Sequence, residues 1–220
     1  DCEHEKKKRI TLHILEQTGF DMRKSSFFEV LHPMCTGVGP QDARVTTNYR
    51  NLFAGIFSTL HEGGHARYNY SSNQEAQEYS LWGGIGGAMH ESQSRFYENM
   101  VGKSREFWEY FYPYVQSECP ELRKIPLESF YQAVCKAAPG PRRIGADELT
   151  YSLHPIIRFE MERDYFAGKI RIEEFEEIWN EKYREYLGVV PQNAAQGVLQ
   201  DIHWASGHVG YFQSYALGDL

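Results

Sequence analysis

The apolar positions along this chain fall into blocks with helical spacing, interrupted early on by two short extended runs. Residues 1–19 predict a helix, with Ile10, Leu12, Ile14 and Leu15 as its apolar content and Gly19 as its stop. Between Phe20 and Thr47 the period changes. Phe27–Leu31 and Asp42–Thr47 predict short strands, separated by the breaker His32-Pro33 and by a turn at Gly37–Pro40. A longer helix is expected from about Tyr49 to Tyr68, with Asn48 as its cap. Leu52, Ile56 and Leu60 form one row on it, and Phe53, Phe57, His61 and His65 form the neighbouring row. Ser71–Tyr79 is polar and predicts a loop, after which Gly83–Gly87 leads into a helix carrying His90–Arg95. Downstream lie an aromatic block (Phe107–Val115), a helix (Leu127–Lys136), a loop (residues 137–142) and two further helices, Ala146–Phe166 and Ile172–Leu187. Gln196–Leu217 is rich in Gly, His, Trp and Tyr and shows no period. The extended pieces are too few for a sheet-based fold, so the expected class is mainly α with a small β-sheet.

With 220 residues, 41% of them hydrophobic and 15% aromatic, the chain is long and apolar enough for a globular core. Its formal net charge of −7 argues against a polyanionic partner. The one dense basic run, Lys6–Arg9, sits beside Glu3 and Glu5 and reads as a solvated helix face, so no nucleic-acid binding is expected. No apolar run approaches the ~20 residues of a membrane span. Cys2, Cys35, Cys119 and Cys135 are scattered without a C-x-x-C pair. They read as free thiols in a reducing, cytoplasmic compartment, although spacing alone does not settle disulfide pairing. The chain opens inside charged helical sequence without an initiator Met, which is expected of a piece of a longer protein.

The chemistry centres on His61-Glu62-Gly63-Gly64-His65. Residues four apart on a helix lie one turn above each other, so His61 and His65 can present two imidazoles to one ion. Glu62 is placed to act as general base towards a metal-activated water. Two glycines inside the motif cost roughly 1 kcal/mol each relative to alanine, which implies that something packs too closely for a side chain. A catalytic site needs a third protein ligand and an open position. Glu91, 26 residues beyond His65 on the next helix, is the best candidate; Glu75 and Glu78 are rivals, and Glu91 could instead pair with Arg95 at i+4. His90 points about 100° away from Glu91, so the two are not expected to share a metal. His32, His203, His208, Tyr211 and Tyr215 are candidate donors to an oxyanion.

Six stretches in order resemble the signatures of the carboxypeptidase Taq family of metallocarboxypeptidases. They are His32-Pro33-Met34, Asp42–Thr46 (D-x-R-x-T), His61–His65, His90–Arg95, Arg143–Glu148 (R-x-x-A-D-E) and Gly197–Trp204 (G-x-x-Q-D-x-H-W). Gly210–Tyr215 resembles a further Gly-Tyr-Phe-Pro-(Ser/Thr)-Tyr stretch. Met34, Arg142 and Gln213 stand where the family usually has Phe, Ile or Leu, and Pro. The resemblance implies a mostly helical, zincin-like core with the small sheet beside the active site. It implies a metal-dependent exopeptidase that removes residues from peptide C-termini with broad specificity. By it, His61, His65 and Glu91 match the ligands of Zn2+, or Co2+ in some members, and Glu62 matches the general base. Arg143 occupies the position expected to bind the substrate's free carboxylate, with Arg44 as the alternative. His32, Gln200 and Tyr215 are expected around the substrate, and His203 and Tyr211 near the reacting carbonyl. Family members are homodimers more than twice as long, so residues 1–220 are expected to be a single catalytic domain fragment lacking an N-terminal helical region and a C-terminal tail. Two rivals remain: another His-Glu-x-x-His peptidase, acting as endopeptidase or aminopeptidase, and a truncated, inert metal-binding module.

Overall fold

A computed structural model describes residues 2–220. The chain forms two compact units, one ending at Val134 and the other running Cys135–Leu220.

The first unit begins with α1 (His4–Gln17), which buries Ile10, Ile14 and Leu15. A three-stranded sheet follows: β1 (Ser25–Glu29), β2 (Met34–Gly39) and β3 (Asp42–Thr47), in the order β1-β3-β2. β3 is parallel to β1 and antiparallel to β2. The turn expected at Gly37–Pro40 therefore starts later, because Gly37 and Gly39 still pair with Ala43 and Asp42. Then come α2 (Leu52–Tyr70), the short α3 (Gln74–Glu78) inside the stretch expected to be loop, and α4 (Gly87–Arg95). α4 continues as a π-helical segment, Phe96–Val101, before α5 (Arg105–Glu118) and α6 (Leu127–Val134). The core joins Ile10 and Ile14 of α1, Leu52, Ile56 and Leu60 of α2, and Phe107, Trp108, Phe111 and Val115 of α5. A second cluster of Leu15, Phe20, Ala43, Val45 and Ala66 seals the sheet to the helices. The row Leu52-Ile56-Leu60 is thus the one in the core, and the row Phe53-Phe57-His61-His65 is half-buried beside it. The sheet is tied to α2 by Thr47, whose Oγ1 lies 2.8 Å from Ser58 Oγ and 2.7 Å from Thr59 Oγ1.

Two local expectations need correction. Asn51, not Asn48, caps α2, its Oδ1 accepting from Ala54 N at 2.8 Å. Asn48 instead donates to Val30 O and Leu31 O and so fastens the end of β1. Cys2 and Cys119 are joined in a disulfide, and Cys35 and Cys135 are in none. The compartment expected from four free cysteines loses that support, since persistent disulfides belong mainly to oxidising compartments.

The second unit packs α7 (Leu153–Phe166), α8 (Phe175–Leu187) and α9 (Gln213–Asp219), with Ile157, Met161, Trp179, Tyr183 and Leu187 in its core. α7 starts later than the sequence suggests. The Asp147 carboxylate accepts from the Thr150 backbone and hydroxyl, holding a turn where helix was expected. Asp201 lies between two guanidiniums, 2.8 Å from Arg143 Nη2 and 2.7 Å from Arg158 Nη2.

His154 is fully buried beside this cluster, its Nδ1 2.9 Å from Tyr183 Oη. Burial, reinforced by Arg158 and Arg143, pushes its pKa down to about 4. Below the ordinary histidine pKa of ~6.5, the unfolded chain therefore binds a proton that the folded one refuses. Stability from this group is complete above that value and falls as the pH drops towards 4, by about 3 kcal/mol in all. In urea titrations at stepped pH, His154→Leu should flatten this limb between pH ~6.5 and ~4. An unchanged slope would rule the histidine out as its source.

Candidate metal centre

α2 and α4 bring the candidate ligands together. Nitrogen atoms of His61 and His65 and a carboxylate oxygen of Glu91 all lie within 4.8 Å of one another. His61 Nε2 is 3.7 Å from Glu91 Oε1, and His65 Nε2 is 3.4 Å from Glu91 Oε2. Glu91 is buried, and its Oε1 has no hydrogen-bond partner. A buried carboxylate oxygen left without a donor is costly, and a cation between it and two imidazoles removes that cost. Two nitrogens and one carboxylate are also a donor set suited to catalytic zinc. The residues present therefore fit a divalent ion.

The glycines of the motif explain this approach. A Cβ on Gly64 would lie 2.6 Å from Gln93 O and Ser94 Cα, so α4 crosses α2 backbone against backbone at that point. A Cβ on Gly63 would crowd the end of the Leu15 side chain, at 2.8 Å, and touch the Phe20 ring at an ordinary 3.7 Å. Gly64→Ala should therefore cost about 1–3 kcal/mol and weaken metal binding, because α4 carries Glu91. Gly63→Ala, facing a side chain that can move, should cost less. Denaturation and zinc titration of both variants check the order.

Charge is strongly coupled here. Burial opposes a charged His61 ring, yet Glu91 and Glu98 outweigh it and lift its pKa to about 9. Burial alone would raise Glu91, but His61 and His65 hold it below the usual carboxylate range. Glu62, buried on α2, is pushed up by burial, with His61 and His65 pulling against it. Arg95 pairs at 2.9 Å with Glu98 in the π-helical segment, and its charge also helps to hold Glu91 down.

The rival ligands Glu75 and Glu78 are exposed on α3 and fall outside the cluster. His32 is exposed in the β1–β2 connection. Arg44 is exposed on β3, with Nη2 2.6 Å from Asp42 and Nη1 3.2 Å from Ser26 Oγ. The remaining candidates lie in the second unit and cluster there. Arg143 stacks over the Tyr215 ring at 4.6 Å, and His203 Nε2 is 3.0 Å from Tyr215 Oη. Tyr211 packs against His203 at 5.6 Å between ring centroids. Gln200 fastens the segment, accepting from Arg143 N and donating to Pro141 O. Arg143 itself is buried, with Nε and Nη2 donating to Asp201 and Nη1 to Tyr151 Oη, so its guanidinium is engaged internally.

Sequence reasoning missed Glu162 and Glu98, and it gave His90 no role towards His65. Glu162 accepts from Trp204 Nε1 at 2.6 Å and from Gly210 N at 3.0 Å, anchoring the loop after His203. His90 and Glu98 contact the far ring nitrogens of the two histidines: His65 Nδ1 is 3.1 Å from His90 Nδ1, and His61 Nδ1 is 2.8 Å from Glu98 Oε2. Glu98 was legible, since it follows Glu91 by two helical turns on the same face.

The model of the carboxypeptidase Taq (M32) metallopeptidase family matches residues 1–220. The chain belongs to that family. Among M32 relatives, carboxypeptidase 1 of Bacillus subtilis is 42% identical over 97% of this chain, and thermostable carboxypeptidase 1 of Thermus thermophilus is 42% identical over 98%. The alignment spans 43% of each, so this chain corresponds to less than half of either relative. The crystal structure of the M32 carboxypeptidase from Deinococcus radiodurans superposes with a TM-score of 0.95 at 36% identity, covering 99% of this chain and 44% of that one. The Pyrococcus furiosus carboxypeptidase gives 0.93 at 35% identity, covering 100% of this chain and 45% of that one. The mainly helical class with a small sheet is therefore the M32 fold. M32 is a metallopeptidase family, so membership implies a divalent metal. No helix among the described residues is long and apolar enough to cross a membrane.

Proposed function

We propose that this chain carries the metal centre of a metallocarboxypeptidase that cleaves the C-terminal residue from peptides of broad sequence. The observation that carries the proposal is the convergence of His61 and His65 on α2, the helix that also bears Glu62, with a carboxylate oxygen of Glu91 from α4, all within 4.8 Å of one another, together with the partnerless Oε1 of Glu91. Zinc is the proposed ion, because the two-imidazole, one-carboxylate set leaves a position open for water and substrate. When bound, the ion supplies a Lewis acid for the scissile carbonyl and makes water a nucleophile at neutral pH. Glu62 then takes the proton that the attacking water loses and delivers it to the departing amine. Its burial raises the basicity of the carboxylate, which favours that transfer. α1 and α4 hold the motif helix in place through the two glycine contacts.

One observation favours a second reading, in which the same motif serves an endopeptidase or aminopeptidase. Arg143, the arginine expected to hold the substrate carboxylate, is engaged by Asp201 and Tyr151. The deciding experiment gives the full-length protein a peptide with a free C-terminus and its C-terminally amidated twin, each with and without a chelator. Chelator-sensitive release of the last residue from the free peptide alone supports the carboxypeptidase. Equal rates on the twins support the second reading, and absence of metal-dependent cleavage removes both.

A further inference from the structure

His61 and His65 each have one ring nitrogen turned towards Glu91 and the other turned away, and the two outward nitrogens meet quite different partners. His61 Nδ1 is 2.8 Å from Glu98 Oε2, and the same oxygen receives Arg95 Nη1 at 2.9 Å. A carboxylate paired with a guanidinium accepts and has no proton to give. The hydrogen of that contact therefore sits on His61 Nδ1. On the other side, His65 Nδ1 is 3.1 Å from His90 Nδ1, while His90 Nε2 is 2.9 Å from Gly83 O. A peptide carbonyl only accepts, so His90 Nε2 carries the hydrogen. Neutral His90 then has a bare Nδ1, which accepts from His65 Nδ1–H. The relay ends on a fixed point: Gly83 and Gly84 adopt φ +88° and +87°, and the Tyr68 hydroxyl accepts from Ile85 N at 3.3 Å. The Tyr68 ring leaves no room for a Cβ on Gly84.

From this geometry we infer that Glu98 and His90 are positioning residues: each holds the hydrogen of its histidine on Nδ1 and so leaves both Nε2 lone pairs for the ion. The inference rests on the metal reading of the site and deepens it. A ligating imidazole oriented by an outer acceptor typically loses 10–100-fold in metal affinity when that acceptor is removed. The two supports are unequal. His61 is backed by an anion held in the π-helical segment, and His65 by a neutral ring that is itself hung on a glycine-rich loop. The charged acceptor makes the stronger bond, so its loss should weaken binding more.

The test is zinc affinity of the full-length protein, measured by competition with a chromophoric chelator, alongside ring nitrogen spectra of the zinc-loaded, 15N-histidine-labelled protein. Glu98→Ala and His90→Leu should each weaken zinc about 10–100-fold, Glu98→Ala the more. His90→Asn, whose amide oxygen falls near the position of Nδ1, should recover most of the loss, and Glu98→Gln part of it. The spectra should show Nδ1–H and a ligated Nε2 on both histidines. Unchanged affinity in both apolar variants, a loss that neither Asn nor Gln recovers, or ligation through Nδ1 would each overturn the inference. If the wild-type protein binds no zinc, the metal reading itself fails, and that outcome is distinct from the others.

Discussion

Glu62→Gln in the full-length enzyme should lower kcat/KM by about 10²–10⁴-fold while leaving zinc content unchanged. The substitution keeps shape and hydrogen-bonding capacity, so it isolates the proton-accepting role. Glu62 lies between the two motif histidines in sequence, yet it is not part of the ligand cluster, which is made by His61, His65 and Glu91. Only 7% of its surface is exposed, and its pKa is raised first by burial. A carboxylate lifted towards the working pH is a better base than one in water, and a carboxamide cannot take the proton at any pH. His61→Ala should remove both zinc and activity, which separates loss of the base from loss of the site. Activity within tenfold of wild type in Glu62→Gln would assign the proton transfer to another group.

The helix that holds the site was legible because two signals coincide on it. Its apolar rows have helical period, and the motif spacing needs the same period. Even the cost of Gly63 and Gly64 pointed to a close approach, although only the structure shows that α4 backbone makes the tighter one. The cap was misplaced by three residues because Asn48 and Asn51 are equally good caps on paper. Asn48 is diverted to the end of β1, a tertiary contact that no local pattern reveals. β2 was hidden for a related reason. Gly37, Gly39 and Pro40 have turn chemistry, yet Gly37 is in a strand against which α2 packs so closely that a Cβ would sit 3.0 Å from Asn69 Oδ1. In the second unit, Arg143 matched a motif position but not a free guanidinium, because Asp201 arrives from 58 residues away to engage it. Side-chain relays such as His65–His90–Gly83 share this character. Each member is ordinary in sequence, and only the fold determines which nitrogen faces which acceptor.

Breaking the Cys2–Cys119 disulfide should destabilise the first unit by about 2–5 kcal/mol. The bond closes a separation of 117 residues, and in the chain-entropy model long loops constrain the unfolded state most. Both sulfurs are buried, and they join the start of α1 to the residue that ends α5. The exposed Arg9–Glu118 pair, 2.8 Å apart, spans the same two helices and contributes little by comparison. The consequence reaches the metal centre, because α1 backs the motif helix: Leu15 fills the space left by Gly63, and Thr11 lies 3.3 Å from where a Cβ on Gly55 would stand. Releasing the end of α1 should therefore lower the denaturation midpoint. It should also loosen zinc binding, even though neither sulfur belongs to the site. Denaturant titrations with and without dithiothreitol measure the effect, and a Cys2→Ser/Cys119→Ser variant should start from the lower midpoint and ignore the reductant. Four reactive thiols in the unfolded, unreduced protein would show that the bond is absent. A reductant-insensitive midpoint in the disulfide-bonded wild type would show that it contributes nothing to holding α1 in place.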